Sequence, residues 1–547
     1  MPWDLTIFTL DVRQGDSSLV VAENATTGQV RRMLIDGGSV DHAVTAHDAV
    51  EARLNPGESL DHVLVSSYAG EHYEGVMRLL GADNLHRIAD VIAEVATREA
   101  ALGNSDREQA AAAAAGAYAA CFGGYDTPGG VGGVAARLAP VTTAIRNGAA
   151  NAPDVPTAIL LGYTGAQVAL PVVAPLNPAL TTAQAFAEQI ALVAANDADL
   201  LLAQGGFPNG NATPAALNAL RTAIREDVLD ELFPAAPPGG RFDTGGVYAT
   251  TQVIVPPVAG DPGQAGPRQA AARNAAWLAD AAAGAIDING RVAWAPGVAR
   301  TLTTLGPQAL GTEILWNSGP AAVPAPAGAP GVFLVAAEGR VWNTTQAVTP
   351  GGVSIPQAEG LGVVVRFNDF FHYSGGDLPR DGSERVAAAL TGAGLPNPQG
   401  GPVLPPAARI ASVKCDVHGD DAGTGATFLN TAAPAVAYIS AGRTGPLDRS
   451  PSQAVVDRLH NDPNVERFYL TNCSFPRAHV PASTGNPQAV LGNKSRVCGD
   501  NAAVDGDNRV RGNVTLIISQ NNSMNPVSFL VVHRDATGGP VMDQFHL

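Results

Sequence analysis

The sequence predicts an α/β (α+β) fold split by a large, mainly helical insertion. Three observations carry this reading. Apolar runs of strand length, bounded by Gly/Asp turns, open the chain at Leu5 to Val12, Ser18 to Ala22 and Arg32 to Ile35. Strand runs return at Gly362 to Phe367 and Phe370 to Ser374. Between about Ile92 and Gln357 the pattern turns to helices and loops.

Taken in order, the first strand leads into the turn Arg13-Gln14-Gly15-Asp16-Ser17, and the third ends at Asp36-Gly37-Gly38. His42 to Leu54 reads as a helix. Asp61 to Val65 is a buried strand, followed by the polar loop Ser66 to Glu74 and a helix from Gly75 to Leu80. In the middle segment, Ala110 to Ala120 and Thr182 to Leu202 have helical composition and spacing. Thr213-Pro214 is a helix start, with an N-cap followed by Pro at the first helical position. Pro234 to Gly240 is a linker, Gln269 to Ala283 a helix, Thr312 to Trp316 a short strand and Pro320 to Pro330 a loop. No histidine lies between His86 and His372, so this segment supplies no imidazole ligand. It serves either as a cap over a site or as an oligomerisation module, which would make a homo-oligomer. Later, Ser383 to Leu390 is a helix. Val514 to Ser519 and Val527 to Val532 are strands, with His533 and His546 expected to be exposed.

Length and composition bound the function. The 547 residues suffice for two to four domains, and 46% hydrophobic with 15% charged residues indicates a globular chain. A formal charge of −17 disfavours nucleic-acid binding without a local basic patch, and leaves a small-molecule or protein partner. The cysteines at 121, 415, 473 and 498 are far apart and form no C-x-x-C, so a reduced, cytoplasmic setting is expected. Cys415, beside Asp416, is either a thiolate ligand or nucleophile, or a buried and inert strand residue. No secretory leader is read at the start, and Ala158 to Leu176 is broken by glycines and Pro171, so no membrane span is expected.

Several motifs resemble the metallo-β-lactamase superfamily, in its ComEC-type branch of hydrolases linked to bacterial DNA uptake. "LDVRQGDSS" and "MLIDGG" are similar to that branch's D-V-G-Q-G-D-S and L-I-D-G-G. The run Ser66 to Gly75 resembles the metal loop T-H-x-H/D-x-D-H-x-x-G. Gly375-Gly376-Asp377 with Glu384 is similar to T/S-G-D…E. The segment from Lys414 to Asn472 follows L-K-x-x-H-H-G, F-L, P-x-x-A-x-I-S-x-G and H-P-S…R-L in order. The resemblance implies a four-layer αββα sandwich. Residues 1–91 form its first half, 92–357 the insertion, 358–485 its second half and 486–547 a C-terminal β extension.

It also implies a degenerate metal site. Glu71, His72, Asp377 and His418 match ligand positions, with Asp416 as a substitute oxygen ligand and His72 and Asp377 carrying catalysis. Asp36, Tyr68 and Tyr73 support the metal loop, while Ser67, Ala69, Val417 and Ser450 stand where ligands are lost. Two carboxylates with two imidazoles suit one divalent ion, Zn, Mn or Fe, rather than a tight zinc pair. Two readings stay open. One is a single-metal hydrolase of an ester or phosphodiester; the other is a catalytically inactive pseudoenzyme without metal, serving as a scaffold, assembly or protein-binding module.

Overall fold

The structure, a computed structural model, describes residues 2–12, 15–39, 42–80, 247–258, 300–317, 323–349, 355–440, 451–471, 494–498, 512–524, 527–534 and 540–547, with a few positions between 271 and 282. The chain divides into two compact units. Met1–Gly81, Phe242–Ala259 and Ala295–Leu547 form the first, and Ala82–Arg241 with Gly260–Trp294 the second. In the second unit the described positions are helical and fall on the expected helix Gln269 to Ala283. The other helices expected between 82 and 246 lie outside the described residues.

The first unit is a mixed α/β structure built on two large mixed sheets. In chain order the strands are β1 (Asp4–Thr9), β2 (Ser18–Asn24), β3 (Gln29–Ile35), β4 (His62–Leu64), β5 (Gln252–Val255), β6 (Thr301–Thr304), β7 (Gly331–Ala337), β8 (Arg340–Val341), β9 (Gly362–Phe367), β10 (Phe370–Ser374), β11 (Ser412–Lys414), β12 (Val436–Ile439), β13 (Arg467–Leu470), β14 (Ser495–Val497), β15 (Val514–Ser519), β16 (Ser528–Arg534) and β17 (Pro540–His546). The first sheet runs β17-β16-β15-β1-β2-β3-β4-β5-β6, and the second β14-β13-β12-β11-β10-β9-β7-β8. In the first, β3, β4, β5 and β6 are parallel and the rest antiparallel. In the second, β10 to β14 are parallel.

The sequence explains the core. On β1, Leu5 and Ile7 face inward with Val20 and Ala22 of β2 and Met33 and Ile35 of β3. They share one buried cluster with Val332, Leu334, Val363, Val365, Tyr438 and Tyr469 of the second sheet, so the two sheets pack through their apolar faces. β9 is buried along its whole length, as its unbroken Val-Val-Val run requires. Its other face packs on α4 (Arg380–Ala393), α5 (Ala426–Ala432) and α6 (Gln453–Asn461) through Val386, Leu390, Phe428, Leu429, Val455 and Leu459. Two further helices precede them, α1 (Ala43–Glu51) and α2 (Gly70–Leu79), besides the single turn α3 (Ile355–Ala358).

Several expectations are corrected. The segment 92–357 is not one helical and loop insertion, because β5 to β8 lie inside it and belong to the two sheets. The short strand expected at Thr312 to Trp316 is a single bridge between Glu313 and Phe333. α2 begins at Gly70 and not Gly75, which puts Glu71 and His72 on its first turn. The reason is tertiary. A Cβ on Gly75 would lie 2.0 Å from the Gly37 carbonyl oxygen, so two glycines let the helix backbone meet the end of β3. Gly75 N then donates to Gly38 O at 2.8 Å. His533 is buried rather than exposed, with its ring 5.3 Å from that of Tyr469. It became so because β17, unread in the sequence, pairs with β16 and brings Asp543 within 3.4 Å of His533 Nε2. No helix among the described residues is long and apolar enough to cross a membrane.

Candidate metal centre

Parallel strands deliver their loops to one end of a sheet, where ligands gather in open α/β architectures. Asp36 follows β3, Ser66 and α2 follow β4, Asp377 follows β10, and Asp416 and His418 follow β11. Asp16 precedes β2, which runs antiparallel to β3 and so opens at the same end.

His72 stands at the centre of the group and is fully buried. Its Nδ1 lies 2.9 Å from Asp36 Oδ2. Asp36 also accepts from Ser66 N and Ser66 Oγ, each at 2.6 Å. These bonds fix the imidazole with Nδ1 as the donor. The Nε2 atom then faces Asp377 Oδ2 at 3.0 Å, without the alignment of a hydrogen bond. Asp377 Oδ2 accepts from Gln357 Nε2 at 3.0 Å, and Asp377 Oδ1 has no partner.

His418 repeats the arrangement. Its Nδ1 lies 3.2 Å from Asp16 Oδ1, and its Nε2 faces Glu71 Oε1 at 3.9 Å without a hydrogen bond. The two imidazoles stack with centroids 5.5 Å apart. Ligand atoms of Glu71, His72 and His418 all lie within 4.8 Å of one another, and so do those of Asp16, Asp36 and His72. The turn that carries His418 is strained. Val417 and His418 both have φ of 52°, a region that a β-branched residue rarely enters. Val417 N is tied there to Gly376 O at 2.9 Å, next to Asp377.

The electrostatics follow from burial against pairing. Burial alone would raise the Asp16 carboxyl, but the Lys414 ammonium on its Oδ2, and then His418, hold it far below the usual carboxylate range. Asp377 is lowered to about 2, because His72 outweighs the burial that would raise it. His72 is raised well above an ordinary imidazole: burial would lower it, but Asp377 and Asp36 prevail. His418 is raised to about 10, with Asp16 overcoming burial. Glu71 is lowered: burial would raise it, but the facing His418 and His72 imidazoles prevail. Four carboxylates, on Asp16, Asp36, Glu71 and Asp377, thus surround one ammonium and two imidazoles. Four carboxylates against one ammonium leave three negative charges, and protons on both imidazoles or a divalent cation between them would each offset two of these.

The structure brings Glu71, His72 and His418 together as one ligand group, and Asp377 meets that group only at His72 Nε2. Asp416 is placed otherwise: its Oδ2 accepts from Tyr373 Oη at 3.1 Å and from Ser383 Oγ, and it joins no ligand group among the described residues. Burial raises it to about 7. Asp36 holds the supporting place expected of it. The Tyr68 hydroxyl donates to Pro256 O at 2.9 Å, and Tyr73 is a buried core side chain. At the lost positions, Ser67 Oγ accepts from Ala69 N at 3.2 Å, and Ala69 is the N-cap of α2. Ser450 lies outside the described residues. Cys415 is fully buried with its thiol pushed up to about 12 by that burial, which suits the inert alternative.

Two residues escaped the sequence reading, Asp16 and Lys414. Both stood inside matched motifs, QGDS and L-K-x-x-H-H-G, and that was the available signal.

Next to the site, His372 on β10 turns to the opposite face and meets Ser412 Oγ at 2.8 Å. Burial, helped by Lys414, lowers it from the ordinary 6.5 to about 3. As pH falls below 6.5 the unfolded chain takes up a proton that folded His372 refuses, so stability is lost from pH 6.5 down towards 3. The loss at pH 5 relative to pH 7 is about 2 kcal/mol from this residue. Urea unfolding at both pH values is expected to show His372→Gln with a drop smaller by that amount. An equal drop in both proteins would contradict the assignment.

No family model matches the chain, and no curated protein matches it.

Proposed function

We propose that the chain is a four-layer αββα metallo-β-lactamase-type protein that holds one divalent metal and hydrolyses an ester or phosphodiester bond. The observation that carries this reading is the paired imidazole geometry. His72 and His418 each have Nδ1 against one carboxylate and a buried Nε2 facing a second, Asp377 at 3.0 Å and Glu71 at 3.9 Å, without a hydrogen bond. A carboxylate behind Nδ1 is what orients a metal-ligating histidine and sets its tautomer. With the Glu71 and Asp377 carboxylates the donor set is two nitrogens and two oxygens, which suits Zn, Mn or Fe. A divalent ion bound there would lower the pKa of a water and polarise the scissile bond.

The chain's own residues have separable parts in this reading. Asp36 keeps the His72 proton on Nδ1 and leaves Nε2 as ligand atom; Asp16 does the same for His418. Gln357 orients Asp377. Lys414 offsets the charge of Asp16 and keeps it an acceptor. A second reading rests on the raised imidazoles. Protons on both would offset as much of the carboxylate charge as a divalent ion does, and the cluster would then be the buried ionic core of a non-catalytic scaffold.

Metal content decides between them. Elemental mass spectrometry of the purified protein is expected to find close to one Zn, Mn or Fe per chain, lost in His72→Ala/His418→Ala. An ion-free protein whose thermal unfolding is unmoved by added Zn, Mn or Fe would rule out the hydrolase and leave the scaffold. A metal-loaded protein would then be assayed on phosphodiester, carboxylic ester and lactone substrates.

A further inference from the structure

A second polar site lies away from the metal group, at the turn between β9 and β10. Arg366 of β9 is only 8% exposed. Its Nε donates to Asn368 O at 2.9 Å, and the guanidinium carbon sits 5.0 Å over the Phe371 ring. Its Nη1 is buried without a partner, and no carboxylate among the described residues forms an ion pair with it. Asp369 acts on it through space. Arginine does not shed its proton at any ordinary pH, so it carries its charge into this apolar setting. Buried charges are costly unless paired and hydrogen-bonded, and such a guanidinium calls for an anion.

The space for one is present. Arg366 lines a cavity of about 160 Å³, together with Ala329, Phe333, Asn397 and Leu404. That is about five water volumes of ~30 Å³ each, the scale of a small organic acid. Its lining combines the Arg366 side chain with the apolar Ala329, Phe333 and Leu404. Glu313 also lines it, but its oxygens are taken by Leu315, Trp316, Asn317 and Val332 N–H groups. The Glu313 carboxyl is met by those donors, so one guanidinium charge is left to match, and a dianion such as phosphate would exceed it. A monoanion matches the single positive charge, and a planar carboxylate fits the edge of a guanidinium.

We propose that this cavity binds a small monocarboxylate, with its carboxylate on the Nη edge of Arg366 and its carbon chain against Ala329, Phe333 and Leu404. The site is independent of the metal group, so either can hold without the other.

Titration calorimetry on the full chain tests it, with hexanoate as the probe and hexan-1-ol and inorganic phosphate as controls. Hexanoate is expected to bind, and each control at least about tenfold more weakly, since each lacks either the charge match or the chain. Arg366→Met is expected to weaken hexanoate at least about thirtyfold, the usual cost of removing one partner of a buried charge pair. Ala329→Phe keeps the guanidinium and fills the cavity, so it decides the matter should the arginine variant fail to fold; it too is expected to lose hexanoate. No heat and no shift in thermal unfolding with hexanoate at about 10 mM, the weak end of specific affinities, would overturn the proposal. So would phosphate binding more tightly than hexanoate, or unchanged hexanoate affinity in Ala329→Phe.

Discussion

Lys414→Met is expected to destabilise the protein by about 3–5 kcal/mol, the cost of breaking a buried ion pair by removing one partner. Lys414 ends β11 and is 2% exposed, with its ammonium on Asp16 Oδ2; Asp16 is 1% exposed. Methionine keeps most of the aliphatic stem, so the loss is of charge more than of packing. Asp16 would keep His418 at 3.2 Å as its near cation, while His72 Nδ1, at 3.9 Å, is already committed to Asp36. The fold feels this widely, because Asp16 N donates to Glu71 O and Gly38 N donates to Asp16 O. Adding Asp16→Asn removes the orphaned charge. The double variant is expected to regain more than half of the loss, since neutral replacements of a buried pair are often tolerated. Urea unfolding of wild type, both single variants and the double variant measures the coupling. A loss below about 1 kcal/mol in Lys414→Met would place the pair with exposed ion pairs, which contribute that little.

How far the sequence revealed this site depends on whether each cause is local. β9 and β10 were legible to the residue, because Gly362 to Phe367 and Phe370 to Ser374 are apolar runs parted by a two-residue polar turn. β5 and β6 were not. Each has four residues, β6 is the Thr-Leu-Thr-Thr edge of its sheet, and only partners from distant segments make them strands. The start of α2 was misplaced because its N-cap is Ala69, which offers no side-chain acceptor. His72 and Asp377 were found through motif position. Asp16 and Lys414 stood in matched motifs, but only folding shows that they pair, since a lysine and an aspartate so far apart in sequence give no sign that they meet. Nor does Val417 announce a φ of 52°; the residue type argues against it, and the hydrogen bond to Gly376 holds it there. Asp416 was read from proximity to His418 in sequence, but its neighbours on α4 and β10, Ser383 and Tyr373, draw its carboxyl away.

Glu313→Ala is expected to cost about 4 kcal/mol or more, at ~1 kcal/mol for each buried donor left without its acceptor. Glu313 is 4% exposed, and its two oxygens take the N–H groups of Leu315, Trp316, Asn317 and Val332 at 2.7–3.2 Å, with Asn317 Nδ2 at 3.0 Å. One side chain thus does the work of a missing strand partner, closing the loop that leads toward β7. The loop matters because it sets Trp316 in the core between the sheets, edge-on to Trp3 with centroids 5.4 Å apart. Its indole N–H donates to Pro330 O at 2.7 Å. Without the carboxylate the backbone must find water or open, and either displaces the indole. Near-ultraviolet circular dichroism is therefore expected to lose tryptophan signal in step with the fall in urea midpoint. Glu313→Gln keeps one oxygen acceptor but points amide hydrogens at backbone donors, so its loss is expected to lie between wild type and the alanine variant. An alanine variant within about 1 kcal/mol of wild type, below the usual cost of even one orphaned donor, would mean that this loop is held by packing of Trp316 alone.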